Sequence, residues 1–263
     1  MKAPAATAAW SAVRAIALNT FREAIRDRIL YLLLVFALLL IGASRLLSML
    51  TVGSEDKIIK DLGLSAISVF GVLTAVFVGV SIVFKEIEKR TVFTLLACPV
   101  RRWHFIAGKY AGLLSVLGLI VAVMSGALCL LLAVRGEPFL PLLPAILLIF
   151  FELAMVTAFA ILFSTLTNPM LAALWTFVAY VVGHLTWSLE LLQARMPEGP
   201  GRFLCDLLYT VLPNLEWLNV RGEAVRGALP ATEHLIGASA YGVCYALAVL
   251  VVACMVFERK EFI

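Results

Sequence analysis

The chain carries little charge. Only 14% of its 263 residues are Asp, Glu, Lys or Arg, against roughly 25% in soluble domains. Its five cysteines (Cys98, Cys129, Cys205, Cys244, Cys254) form no Cys-x-x-Cys pair and no metal-ligand spacing. With three histidines as well, no metal site is expected. There is no Gly-x-x-x-x-Gly-Lys phosphate loop: Gly108-Lys109 lacks the upstream glycine, because position 103 is Trp. ATP hydrolysis by that route is excluded. No His-Glu-x-x-His or Gly-x-Ser-x-Gly motif occurs, so hydrolase chemistry has no motif behind it and no catalytic residue is assigned. Internal repeats and low-complexity tracts are absent too.

What the chain has is apolar sequence. Hydrophobic residues make up 63% and the mean hydropathy is +1.03, which places it among polytopic, all-α membrane proteins. Crossing a bilayer core of about 30 Å takes roughly 20 apolar residues. Six segments qualify, at about 29–50, 62–84, 106–134, 140–165, 170–192 and 234–257. They form a single membrane domain over 1–263, with no room for a large soluble one. The net charge of +4 does not imply nucleic acid, since the basic residues fall at membrane edges. With the N-terminus inside, 13 of the 21 Lys and Arg residues fall on the cytoplasmic side. Both termini are therefore expected in the cytoplasm. The N-terminal charges run to Arg28 and the apolar run behind them is long enough to span, so no cleavable signal is expected.

Residues 7–28 are too short and too polar to cross. At 100° per residue Trp10, Val13, Ala17, Phe21, Ala24 and Ile25 share one face, with Asn19, Arg22, Glu23 and Arg26 opposite. This pattern predicts an amphipathic helix in the cytoplasmic interface of the bilayer. The one sizeable external piece is 193–233. It opens on Pro197-Glu198-Gly199-Pro200-Gly201, and then Phe203, Leu204, Leu207, Leu208 and Val211 make an apolar stripe that stops at Pro213. Such a stripe predicts a helical element that re-enters the outer leaflet or covers the mouth of the membrane domain. Cys205 is the only cysteine in that loop, so no external disulfide is expected.

The most informative stretch runs from Phe84 to Lys109 and holds six of the 21 basic residues. Charges of this density do not sit in hydrocarbon. Charged residues come first, then apolar ones, then Pro99 and a second basic pair, a pattern that predicts a short cytoplasmic helix joining spans two and three. Within it Glu88-Lys89-Arg90-Thr91, Leu95-Leu96, Pro99-Val100-x-Arg102 and Lys109 resemble the signature of type-2 ATP-binding-cassette (ABC) transporter permeases. That signature is Glu-x-x-Thr, a Leu pair, Pro-Val-x-Arg and a Lys seven residues on. Arg90 departs from it, standing where the wider family usually has Gly. Leu162–Pro169, Gly183-His184, Leu212-Pro213-Asn214-Leu215-Glu216 and Phe257-Glu258-Arg259-Lys260 extend the resemblance over essentially the whole chain. Together they are similar to the branch described as permeases for multicopper-enzyme maturation, which includes the nitrous-oxide-reductase assembly permease.

The resemblance implies six transmembrane helices, a leading amphipathic helix, a coupling helix between helices two and three, and a re-entrant element before helix six. It implies a bacterial inner-membrane exporter in which two such permeases pair, as a homodimer or with a related chain. Two separate cassette ATPase subunits bind ATP and magnesium, so no cofactor is expected in this chain. The implied ATPase-coupling residues are Glu86, Glu88, Arg90, Thr91, Leu95, Leu96, Pro99, Arg101, Arg102 and Lys109.

Two polar residues fall inside spans. Glu152 lies near the middle of the fourth, where a carboxylate is costly and is by default a functional candidate; a protonated, hydrogen-bonding structural role is the alternative. His184 in the fifth span is its candidate partner, or else a packed core histidine. His104 and His234 fall at interfaces. Two other function classes compete: an ion-coupled secondary transporter built on Glu152, and an intramembrane hydrolase using Glu152 with His184. The first usually shows repeats and broken helices in both halves, and the second wants a nucleophile or a metal.

Overall fold

The computed structural model describes residues 5–48, 55–88, 102–195, 202 and 212–259. These residues are almost entirely helical, with no strand among them. The helices are α1 Ala5–Ile25, α2 Arg28–Ser48, α3 Glu55–Glu88, α4 Arg102–Val134, α5 Leu142–Leu166, α6 Pro169–Arg195, a 3-10 turn Glu216–Leu218, α7 Arg221–Val225 and α8 Thr232–Arg259. Six of them, α2 to α6 and α8, are long and apolar enough to cross a membrane. With six crossings the start of α2 and the end of α8 lie at one end of the bundle, here called the near end.

Local chemistry fixes the breaks between helices. Asp27 Oδ1 accepts from the Ile29 amide at 3.0 Å and starts α2 after the α1 stop. Asn168 Oδ1 accepts from the Leu171 amide at 3.0 Å, and Pro169 behind it occupies the first position of α6, where its missing N–H costs nothing. Gly136, at φ +76°, turns the chain between α4 and α5. Inside the spans, hydroxyls are satisfied by the carbonyl four residues back: Thr74 on Phe70, Thr157 on Leu153 and Thr176 on Ala172, each at 2.7 Å. No polar group need then face hydrocarbon.

The bundle is built around α3 and α5. In their most apolar stretches 67% and 61% of residues are buried, against 28% in both α2 and α6, so the latter two lie on its surface. At about 1.5 Å per residue the 34 residues of α3 span roughly 50 Å, well beyond the apolar core. Its first turn therefore projects at the far end. There Arg135 meets Glu55 at 2.9 Å and Asp56 at 3.6 Å, and Lys60 meets Glu137 at 3.1 Å. These pairs tie α3 to the α4–α5 hairpin.

α1 does not lie alone. It packs along the near-end half of α4, where two glycines let the helices touch. A Cβ on Gly108 would come within 2.7 Å of Ile16 Cβ, and one on Gly112 within 2.7 Å of the Ala17 carbonyl. The face used includes Val13, Ile16, Ala17 and Thr20, with Ala24 buried and Phe21 half-buried against the core, so it overlaps the apolar face expected from the sequence. Trp10, at the start of that face, is 76% exposed.

Candidate functional site

Glu152 lies ten residues into α5, about 15 Å along its axis and so near the middle of a core about 30 Å thick. It is 1% exposed. Two nitrogen-bearing side chains reach it from different elements. His184 Nε2 on α6 is 3.6 Å from Glu152 Oε1, and Arg221 Nη2 on α7 is 3.8 Å from Oε2. Arg221 also donates a short hydrogen bond to Ser68 Oγ on α3. The His184 ring lies against the Tyr180 ring, centroids 4.7 Å apart, and its Nδ1 faces the Tyr180 carbonyl at 3.3 Å. Glu152 and His184, read from the sequence as candidate partners, are thus brought together in one cluster.

Arg221 enters the cluster because the connection between α6 and α8 folds back into the bundle. The Leu215 amide donates to the Gly183 carbonyl on α6 at 3.0 Å. The Asn214 amide donates to the Tyr241 hydroxyl on α8 at 2.9 Å. Asn214 Oδ1 in turn accepts from the Trp217 amide at 3.2 Å, which starts the 3-10 turn. Leu215, Leu218, Val220 and Ala224 are all buried between the spans, while Trp217 packs edge-on to Tyr241 and His234. Gly183 is needed for this docking: a Cβ there would lie 2.8 Å from Leu215 Cγ and 3.1 Å from the Pro213 carbonyl. The segment carrying the apolar stripe from Phe203 to Val211 lies outside the described residues.

Of the expected coupling set, Glu86 and Glu88 fall in the last turn of α3 and Arg102 is the first residue of α4. Arg90, Thr91, Leu95, Leu96, Pro99 and Arg101 lie outside the described residues, as does the helix expected between them. Lys109 sits inside the bundle and not on its surface. It is 1% exposed, 3.9 Å from Glu23 of α1 and 5.8 Å from the Phe105 ring centroid. Its ammonium thus faces Glu23 across the α1–α4 contact. His104 is buried and stacks on Trp103. Among the described residues no group of three or more His, Cys, Asp or Glu has the arrangement to hold a metal ion.

A groove of about 750 Å3 runs between Ile29 of α2, α3 and α6. Leu73, Val76, Phe77 and Val80 line one side, and Met170, Leu174 and Phe177 the other. Its far end, at Leu73 and Phe177, lies about one helical turn from Ser68 and Tyr180.

Sequence reasoning missed Arg221 and Ser68. Arg221 sits in a polar connection and reads there as one more membrane-edge cation, and Ser68 reads as an ordinary span hydroxyl. The available signal was the pairing itself: a mid-membrane carboxylate needs a cation, and Arg221 follows the Leu-Pro-Asn-Leu-Glu piece five residues after Glu216.

Residues 14–262 match the family model described as ABC-2 family transporter protein. The chain therefore belongs to the ABC-2 transporter family and is a multi-pass membrane subunit of that transporter class. No curated protein matches it.

Proposed function

We propose that this chain is the membrane-spanning permease subunit of an ATP-driven exporter in the inner membrane, energised by two copies of a separate cassette ATPase. The observation that carries the proposal is the family match over 14–262 in a chain that has six spans and no phosphate loop of its own. Members of this family work with a cassette ATPase. The excess of Lys and Arg at the near end supports a cytoplasmic location for both termini and for the segment joining α3 to α4. That segment, with Glu86, Glu88, Arg90, Thr91, Leu95, Leu96, Pro99, Arg101 and Arg102, is the proposed contact with the ATPase. Lys109 serves it from within, by fixing α1 against α4.

A second permease copy is proposed to cover the α2, α3 and α6 groove. Apolar residues such as Phe77, Met170, Leu174 and Phe177 are exposed there, and a translocation path between two such faces suits amphiphilic substrates. Within the family the motif pieces favour the multicopper-enzyme-maturation branch. An ion-coupled mechanism has less support, because the Arg221 guanidinium already faces Glu152.

The test is to purify the chain with and without a cassette ATPase co-expressed from the same genome. The chain alone is expected to show no ATP hydrolysis, and the complex to hydrolyse ATP in lipid. Hydrolysis by the chain alone, or failure of any cassette ATPase to co-purify, would contradict the proposal.

A further inference from the structure

The segment from Pro213 to Val225 is attached to four different spans, each by a different kind of contact. Its backbone bonds to Gly183 on α6 and its Asn214 amide to Tyr241 on α8. Arg221 binds Ser68 on α3 and faces Glu152 on α5. Four apolar side chains fill the space between these spans. The segment therefore closes the far half of the bundle from within, and Arg221 is its deepest polar attachment.

A guanidinium at this depth is tolerated only beside a counter-charge, so the seated position of the segment depends on Glu152. Yet the seating is loose in polar terms. The Glu152 contacts, at 3.6 and 3.8 Å, are too long for hydrogen bonds. Glu152 Oε1 and Arg221 Nε, both buried, find no hydrogen-bond partner among the described residues. Lifted towards water, Arg221 would be fully hydrated, giving up this incomplete pairing and its hydrogen bond to Ser68. Beyond its apolar pegs the segment is held to the spans by that bond, by the Leu215 and Asn214 amide bonds and by one long ion pair, and Arg221 carries the polar part of its hold on α3 and α5.

We propose that Arg221 is the bolt of a gate: seated against Glu152 it holds residues 213–225 across the far end of the bundle, and its withdrawal opens that end. Arg221 is a positioning residue that acts through Glu152. For which end faces out, and for what drives the opening, this rests on the permease reading; the bolt itself does not.

Backbone hydrogen exchange of residues 214–225, measured on the full chain in lipid nanodiscs, tests the bolt without any partner. Wild type should exchange slowly there. Arg221→Gln and Glu152→Gln should each speed exchange at least tenfold in this segment while leaving 110–130 unchanged, and the double variant should go no further than either single. Arg221→Lys, which keeps the charge, should restore most of the protection. Unchanged exchange in both single variants, or no recovery with Lys, would overturn the bolt. In the complex with the cassette ATPase, ATP with vanadate should raise wild-type exchange in 214–225 towards the Arg221→Gln rate. Persistent protection in a complex that turns over ATP normally would make the segment a fixed strut and overturn the gate. If no ATPase associates at all, the permease reading fails instead, and the nanodisc comparison still decides the bolt.

Discussion

The Leu215 amide donates to the Gly183 carbonyl at 3.0 Å, a bond between a non-helical segment and a transmembrane helix. It forms because residue 183 has no side chain: Leu215 and the Pro213 carbonyl occupy the space that a Cβ would need. The α6–α8 connection is thereby brought to the depth at which Arg221 meets Glu152.

Gly183→Val should therefore unseat the connection. Overpacking at such a contact costs about 1–3 kcal/mol, and thermal unfolding in lipid should move down accordingly. Gly126, with nothing within 4 Å of a Cβ position, is the control: Gly126→Val should unfold much as wild type does. Equal behaviour of the two variants would remove the proposed role of Gly183.

The α1–α4 seam makes a parallel prediction. Gly112→Leu would place its side chain into the Ala17 carbonyl and Thr20, at a cost of the same order. Backbone exchange in 12–25 should rise while 213–225 stays as in wild type. A uniform rise through the whole chain would show global unfolding and not release of α1.

Much of this was legible in the sequence. The six spans could be read because continuous apolar runs of this length admit little else, and Glu152 and His184 stood out because polar groups are rare in such runs. Arg221 was hidden because its partner is 69 positions away, and no local periodicity marks a three-residue 3-10 turn or a five-residue helix. The apolar face of α1 was largely legible, but Thr20, 0% exposed at the glycine seam, was not, because hydrophobic periodicity does not rank a Thr. Lys109 reads as a surface cation from its neighbours in sequence, and only the course of α1 buries it.

The cluster also changes what substitution of Glu152 should do. A carboxylate that only made a hydrogen bond would tolerate Gln almost silently. Beside Arg221 it supplies charge, so Glu152→Gln should lower stability by about 1–3 kcal/mol. Glu152→Leu should cost more, about 3–5 kcal/mol, because a buried cation is left unpaired. Glu152→Leu combined with Arg221→Met should regain much of that loss, since both charges are gone. A silent Glu152→Gln, or a double variant no more stable than Glu152→Leu, would contradict the pairing. Thermal or denaturant unfolding in lipid reads all three.

Thiol labelling reads the topology. An impermeant maleimide added to intact cells should modify Cys205, and should modify Cys98 only after the membrane is opened. Labelling of Cys98 from outside would invert the bundle.

The central claim, a permease driven through its near end by a cassette ATPase, is tested most directly by charge reversal at that end. Glu88→Lys and Arg102→Glu, each made in the full chain, should insert and fold as wild type does, judged by the same unfolding midpoint. Each should nevertheless lose most of the co-purifying ATPase, or release it from control by the membrane subunit, as read by pull-down and by ATP hydrolysis in lipid. Wild-type assembly together with wild-type hydrolysis in both variants would contradict the account.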